Sequence, residues 1–174
     1  MAEYPKLMML QSCPFCWKVR TLLEHLKIDF KEDQLNPLRR KKSLKFAGDW
    51  GKVPIWRDSE NDFVIDSTPI MLYLDKKYND SKLSNDDLSR QEGWLRWVDE
   101  KLSKATIPIL YGTIGSALSS TRTVSKLEKF GFFSRHLYAW TGFPIMWGII
   151  AKTRVKKDGR KPKQLWHDLL DDFI

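Results

Sequence analysis

Two cysteines three residues apart, Cys13-Pro14-Phe15-Cys16, sit where a short apolar run ends and an amphipathic segment begins. No other feature narrows the fold so far. Leu7-Met8-Met9-Leu10 reads as a strand, and beyond Pro14 the apolar residues Val19, Leu22, Leu23 and Leu26 recur at helical spacing. A proline loses nothing at the first helical position, so Pro14 is predicted at N1 and Cys13 at the N-cap. Cys13 then faces unpaired amides and the positive end of the helix dipole, which stabilise a thiolate. Cys16, one turn on, lies on the same face and is expected to be the more buried, suited to resolving a mixed disulfide. Lys18 and Arg20 add positive charge nearby. Two plainer readings stay open: a small core residue, or half of a zinc site. No other cysteine exists, and His25, His136 and His167 show no ligand spacing, so no metal is expected. Two cysteines exclude a secreted disulfide framework and point to a reducing, cytoplasmic setting.

The first eighty residues alternate strand and helix signals. Ile28-Asp29-Phe30 is predicted as a second strand. Asn36-Pro37 reads as a cap and N1 pair opening a basic helix to about Phe46, followed by a loop from Gly48 to Lys52. Val53-Pro54-Ile55-Trp56 and Phe63-Val64-Ile65 flank a polar turn and are predicted as a hairpin. Asp66-Ser67-Thr68-Pro69 caps a helix through Tyr78. The order is βαβαββα, with the first two strands parallel. A polar linker, 79–86, leads to a region with helical signals only. One helix is predicted from about Asp87 to Leu118, bent near Pro108. A second runs from about Phe130 to Lys156, and a third begins near Lys163. The opening Met-Ala-Glu-Tyr-Pro-Lys does not read as a signal-peptide or transit pattern, and no internal repeat is found.

Composition fits a folded protein: 42% of the 174 residues are hydrophobic and 30% charged, enough for a real core without disulfides. Net charge is +8, but it is local. Lys152 to Lys163 holds seven basic residues and one acid, and Arg39, Arg40, Lys41, Lys42 and Lys45 form a second block. The first reads as a solvated loop, and without aromatic–basic interleaving no nucleic-acid partner is expected. Eight Trp and nine Phe concentrate in the second half. The stretch Phe130 to Trp147 reads as core, with Trp94, Trp97 and Trp140 as core positions. An interfacial or dimer-facing helix, or a porphyrin or lipid pocket, are its alternatives. The uncharged run Leu137 to Ala151 has fifteen residues against the ~20 of a spanning helix.

Two further features bear on what the thiol meets. Val53-Pro54 opens a strand after a loop. From the residues alone a trans proline at a sheet edge is the first reading. A cis bond would offer the Val53 N–H and C=O to an extended ligand. Asp66-Ser67-Thr68 at a helix start is either an ordinary cap or an anion site for a carboxylate, with the Ser67 hydroxyl assisting. A thiol, a strand-like slot and a carboxylate cradle match the parts of glutathione.

The element order with Cys13-Pro14-Phe15-Cys16, Val53-Pro54 and Asp66-Ser67 resembles a glutaredoxin-type thioredoxin fold. With the helical region behind it, the chain resembles the glutathione transferase superfamily. Cys13–Arg20, Asn36–Arg40 (Asn-Pro-x-Arg-Arg), Lys52–Ile55 and Arg96-Trp97-Val98-Asp99 look most like the membrane-associated prostaglandin E synthase type 2 branch.

The resemblance implies an α/β thioredoxin-like domain at 1–78 and an all-α, transferase-like domain at 87–174. That helical domain is expected to be incomplete, because in such proteins it continues well past this point. Cys13 would be the nucleophile facing glutathione and Cys16 its resolving partner. Pro14, Phe15 and Lys52 would line the ligand, Val53 before a cis Pro54 would pair with its cysteinyl backbone, and Asp66 and Ser67 would hold its γ-glutamyl end. Implied activities are glutathione transfer, thiol–disulfide exchange or a prostaglandin-type isomerisation on an electrophilic or disulfide substrate. Related folds often form homodimers. Prostaglandin-type members can also bind haem, but only Cys13 here resembles a haem ligand. The alternative is a non-catalytic protein on the same scaffold, meeting a membrane surface or protein partner through its aromatic helix and basic segment.

Overall fold

The computed structural model describes residues 4–84 and 87–173; the side chains of residues 139, 150, 154, 157 and 158 lie outside the description. Two compact units emerge, Met1–Leu95 and Arg96–Ile174.

The first unit is a four-stranded sheet in the order β2-β1-β3-β4. Its strands are β1 (Lys6–Met9), β2 (Lys31–Gln34), β3 (Ile55–Arg57) and β4 (Phe63–Ile65). β2 runs parallel to β1, with Leu7 opposite Glu32, whereas β3 is antiparallel to both β1 and β4. Helix α1 (Pro14–His25) supplies the crossover from β1 to β2 and buries Cys16, Val19, Leu22 and Leu23. Helix α3 (Ser67–Asn79) adds Ile70 and Leu74 to the same core, centred on Leu7, Met9, Ile55 and Trp56. The fold is therefore thioredoxin-like, as expected.

Two elements differ from expectation. The second strand lies three residues later than predicted, on the polar Lys31-Glu32-Asp33-Gln34. Ile28 and Phe30 pack against the core from the connection instead, so their apolarity reports burial and not ladder pairing. The single basic helix after Asn36 is replaced by a 3₁₀ turn (Pro37–Arg39), one α-turn, α2 (Arg40–Ser43), and another 3₁₀ turn (Lys45–Ala47). Asn36 does cap the first turn, its side chain accepting from the Leu38 N–H at 2.9 Å. Adjacent cations repel, and Leu44 alone is fully buried there, which gives a long helix little to hold it.

At the far end of the sheet Asp58 accepts from the hydroxyls of Tyr73 and Tyr78 and pairs with Lys77 at 2.9 Å. The chain leaving α3 is tied back by Asp75, which is 3% exposed. Its carboxylate accepts from Asn79 Nδ2, the Leu83 and Ser84 amides and the Ser84 hydroxyl, at 2.6–3.1 Å. Residues 85 and 86 of the expected linker lie outside the described residues.

The second unit is helical. α4 (Leu88–Trp97), whose residues through Leu95 belong to the first unit, runs into a wide π turn (Val98–Leu102) and then α5 (Ser103–Tyr111), which contains Pro108. The predicted helix to Leu118 stops at Gly112. A side chain there would meet the Pro108 carbonyl at 2.1 Å. Thr113 then caps α6 (Ile114–Leu127) in a reciprocal box with Ser116. The aromatic stretch forms α7 (Phe132–Pro144), a π segment (Ile145–Ala151) and α8 (Lys152–Asp158). The start of the basic stretch is thus helical and not a loop. α9 (Pro162–Asp171) follows, and the ring of Phe173 stacks on Trp97 at 6.1 Å.

The aromatic stretch is not mainly core. Phe132, Phe133, Leu137 and Trp140 are 63–87% exposed, and Ile145 and Ile149 at least half exposed. Trp94 is also exposed. The helix carries large apolar groups on more sides than its unit can cover.

Candidate active site

Cys13 is the N-cap of α1, with extended backbone, and Pro14 occupies N1. The Cys13 carbonyl accepts from the Cys16 and Trp17 amides at 3.1 and 3.2 Å, which locks the Cys-x-x-Cys turn. Both cysteines carry thiols. They differ in access: Cys13 is half-buried at the core's edge, whereas Cys16 is fully buried. Pro14 is exposed and Phe15 half-buried beside them.

The Cys13 Sγ lies 4.0 Å from the Val53 carbonyl oxygen, toward which the thiol donates. The Val53–Pro54 peptide is cis, against the trans edge reading taken from the residues alone. Val53 and Pro54 are buried, whereas Lys52 is exposed with its ammonium 5.5 Å from the Trp50 ring centroid.

Asp66 begins α3 with φ +71°, a region that non-glycine residues enter at a cost of order 1–3 kcal/mol. Its Oδ1 accepts from the Ser67 amide at 2.7 Å, and its carbonyl from the Ile70 amide. Pro69 has no N–H, so the first turn offers fewer amides to an anion than a plain helix start. The Ser67 hydroxyl is fully buried, with no hydrogen-bond partner among the described residues. Asp66 is the accessible member of the pair.

The structure therefore brings Cys13 to Val53, and a bond from Lys18 Nζ to Thr68 Oγ1 at 3.2 Å ties α1 to the turn carrying Asp66 and Ser67. Arg20 does not join them. Its guanidinium pairs with Glu24 and Glu32 at 2.8 and 2.7 Å and lies over Trp17 at 4.5 Å. Sequence reasoning named Thr68 only as part of the helix start and did not name Trp17. Trp17 is four residues past Cys13, on the same face of α1, and its indole N–H bonds the Gln11 carbonyl at 2.7 Å. That spacing was the available signal.

Among the described residues no group of three His, Cys, Asp or Glu is placed to hold a metal. Haem fits poorly: His25, His136 and His167 are all exposed, and neither principal cavity includes Cys13. The larger, about 740 Å³, lies within the helical unit among Ala105, Pro108, Leu165 and Leu169. No described helix is long and apolar enough to cross a membrane.

The family model for the glutathione S-transferase N-terminal domain matches residues 12–77, the span that holds every residue of this site. Over that span the chain is similar to the glutathione transferases. It is 25% identical to prostaglandin E synthase 2 of Danio rerio, over 84% of this chain and 50% of that protein. To the Mus musculus protein of the same name it is 23% identical, over 82% and 48%. It thus spans about half the length of the curated relatives it matches. The glutathione transferase URE2P6 from Phanerochaete chrysosporium, solved with oxidized glutathione, shares the fold. Its TM-score is 0.54, at 15% identity, over 98% of both chains.

Proposed function

We propose that this protein is a glutathione-dependent thiol–disulfide enzyme with Cys13 as its nucleophile. The observation that carries this is the Cys13 thiol, capping α1 and half-exposed, 4.0 Å from the backbone carbonyl of Val53. An extended tripeptide running along Val53 would bring its own sulfur to Cys13. In that pose the Val53 backbone pairs with the cysteinyl unit, Asp66 accepts from the γ-glutamyl ammonium, and Ser67 supports the turn. Pro14, Phe15 and Lys52 flank the ligand. The match of residues 12–77 to the glutathione S-transferase N-terminal domain and the glutathione complex of the fold relative support this ligand.

The chemistry is a disulfide exchange. Cys13 thiolate attacks the glutathione sulfur of a mixed disulfide, that S–S bond breaks, and the other thiolate departs and takes up a proton. A second glutathione thiolate then attacks the glutathionyl sulfur, giving oxidised glutathione and freeing the Cys13 thiolate; by the other route Cys16, one turn along, attacks Cys13 and releases glutathione, and the Cys13–Cys16 disulfide is then reduced by glutathione. A second cysteine favours this route over conjugation or isomerisation, which need none. Cys16, being buried, is open to its neighbour's mixed disulfide and shielded from other partners.

Two measurements test the proposal. Cys13 alkylation against pH is expected to have a midpoint below the ~8.5 of a free thiol. Turnover of a glutathione mixed disulfide should vanish in Cys13→Ser and persist in part in Cys16→Ser. If both variants match the wild type, the enzyme reading fails.

A separate observation favours a second role on the same scaffold, contact with a membrane surface or protein partner. Phe133 and Trp140 stand 87% and 74% exposed on α7, and the segment continues into basic α8. Sedimentation with anionic vesicles that is lost in Lys152→Glu/Lys156→Glu would support it. The neighbouring Lys157 lies outside the described side chains.

A further inference from the structure

The block Arg39, Arg40, Lys41, Lys42 and Lys45 has no part in the chemistry above, yet it belongs to the segment that leads to the thiol's neighbour. Its segment leads through Trp50, Gly51 and Lys52 directly to Val53, the residue facing Cys13. A Cβ at Gly51 would lie 3.9 Å from Lys41 Cγ, so the Lys41 stem runs beside the last residues of that approach. Between Arg39 and Lys52 there are six basic residues and one acid, Asp49, a net +5. Arg39, Lys41, Lys42 and Lys45 are all exposed, and among the described residues none of the four pairs with a carboxylate.

The same unit neutralises other cations. Arg20 is held by Glu24 and Glu32, Lys6 by Asp33, and Lys77 by Asp58. Arg57 is buried between the rings of Tyr4 and Phe46. Uncompensated positive charge is therefore densest along the segment that leads to Val53, where it raises the local concentration and on-rate of anionic partners.

We infer that this patch selects the disulfide substrate: an acidic polypeptide segment whose cysteine carries a glutathione mixed disulfide. The inference rests on the thiol–disulfide reading and adds the substrate class. A nucleic acid or lipid surface would also answer the charge, but neither brings a sulfur to Cys13. The two rings of the span are engaged by the protein itself: Phe46 packs edge-on to Phe63 at 5.1 Å and against Arg57 at 4.3 Å, and Trp50 packs against the core with Lys52 5.5 Å from its ring centroid. The step balances as above, with glutathione thiol as reductant: peptide–S–S–glutathione and glutathione give peptide thiol and oxidised glutathione.

The test uses three synthetic peptides, each with one glutathione mixed disulfide flanked by four Asp, four Ser or four Lys. The glutathione mixed disulfide of mercaptoethanol is the small uncharged-tail reference. At ~20 mM salt kcat/KM for the Asp peptide is expected about 10-fold above the Ser peptide, with the Lys peptide lowest. The order should flatten at ~0.5 M salt, where screening acts over a few ångströms. Lys41→Glu/Lys42→Glu/Lys45→Glu should reverse the order while turning over the reference at the wild-type rate. Equal kcat/KM for the three peptides, with the reference turned over, overturns this inference and leaves the enzyme standing. A wild type inert on the reference removes the enzyme reading instead. Fluorescence anisotropy of the peptides with Cys13→Ser then decides the charge preference without turnover. Equal affinity for all three, or tighter binding of a 20-base oligonucleotide or phosphatidylserine vesicles at the same salt, counts against the acidic polypeptide. If the triple variant does not fold, the salt dependence of the wild type decides.

Discussion

Asp66 joins two demands at one residue. Its backbone sits at φ +71°, which asparagine and aspartate tolerate better than most, and its carboxylate is exposed at the start of α3. Asp66→Asn keeps the backbone preference and a cap while removing the charge. If the carboxylate receives the γ-glutamyl ammonium, KM for glutathione rises about 10-fold with kcat within about twofold, the mark of lost ground-state binding. Steady-state kinetics against glutathione check this, and an unchanged KM would confine Asp66 to capping. Ser67 provides a contrast one residue on. Its hydroxyl is buried without a partner among the described residues, so Ser67→Ala removes an unmet polar group. Its stability is expected to stay within about 1 kcal/mol of the wild type in urea denaturation.

Among the elements, α3 depends on how its end is tied. Burial pushes the Asp75 carboxyl upward, but the hydrogen bonds from Ser84, Asn79 and the Leu83 and Ser84 amides outweigh it and hold the group below the usual aspartate range. A depressed folded-state value means that its stabilisation is in full force above the unfolded value near 4. It is lost as pH falls through the folded value. Asp75→Ala should cost about 2–4 kcal/mol at neutral pH and shrink the acid dependence of the melting temperature below pH 4. Gly112→Ala should cost upwards of about 2 kcal/mol, since its methyl group would strike the Pro108 carbonyl at 2.1 Å. These elements also define what sequence could reveal. α1 was legible because Pro14 fixes its start and Val19, Leu22 and Leu23 mark its buried face, and with it came the Cys13 N-cap. β2 was misread because an edge strand exchanges backbone bonds while its side chains stay polar, so Ile28 and Phe30 drew the prediction upstream. The break at Gly112 was written as Gly-Thr-x-x-Ser, a cap signature that the apolar run across Pro108 overrode. The Val53 carbonyl beside Cys13 joins residues forty apart and has no local signal at all.

Across the whole molecule, apolar surface and charge are displayed where a minimal core would hide or balance them. Phe133→Ser/Trp140→Ser changes two side chains with little burial to lose, so its melting temperature is expected within about 2 °C of the wild type. Vesicle binding, if α7 carries it, should fall in the same variant; retained sedimentation would assign it elsewhere. The unequal depth of the two sulfurs has a further consequence, for survival under oxidative stress. Hydrogen peroxide reaches Cys13 and converts it to a sulfenic acid, while the sealed Cys16 keeps its thiol. The two can then condense with loss of water, closing a recoverable bridge before a second peroxide drives Cys13 to the irreversible sulfinic state. Peroxide-treated wild type should therefore lose two hydrogens by mass spectrometry, whereas Cys16→Ser should gain two oxygens and stay inactive after reductant is added.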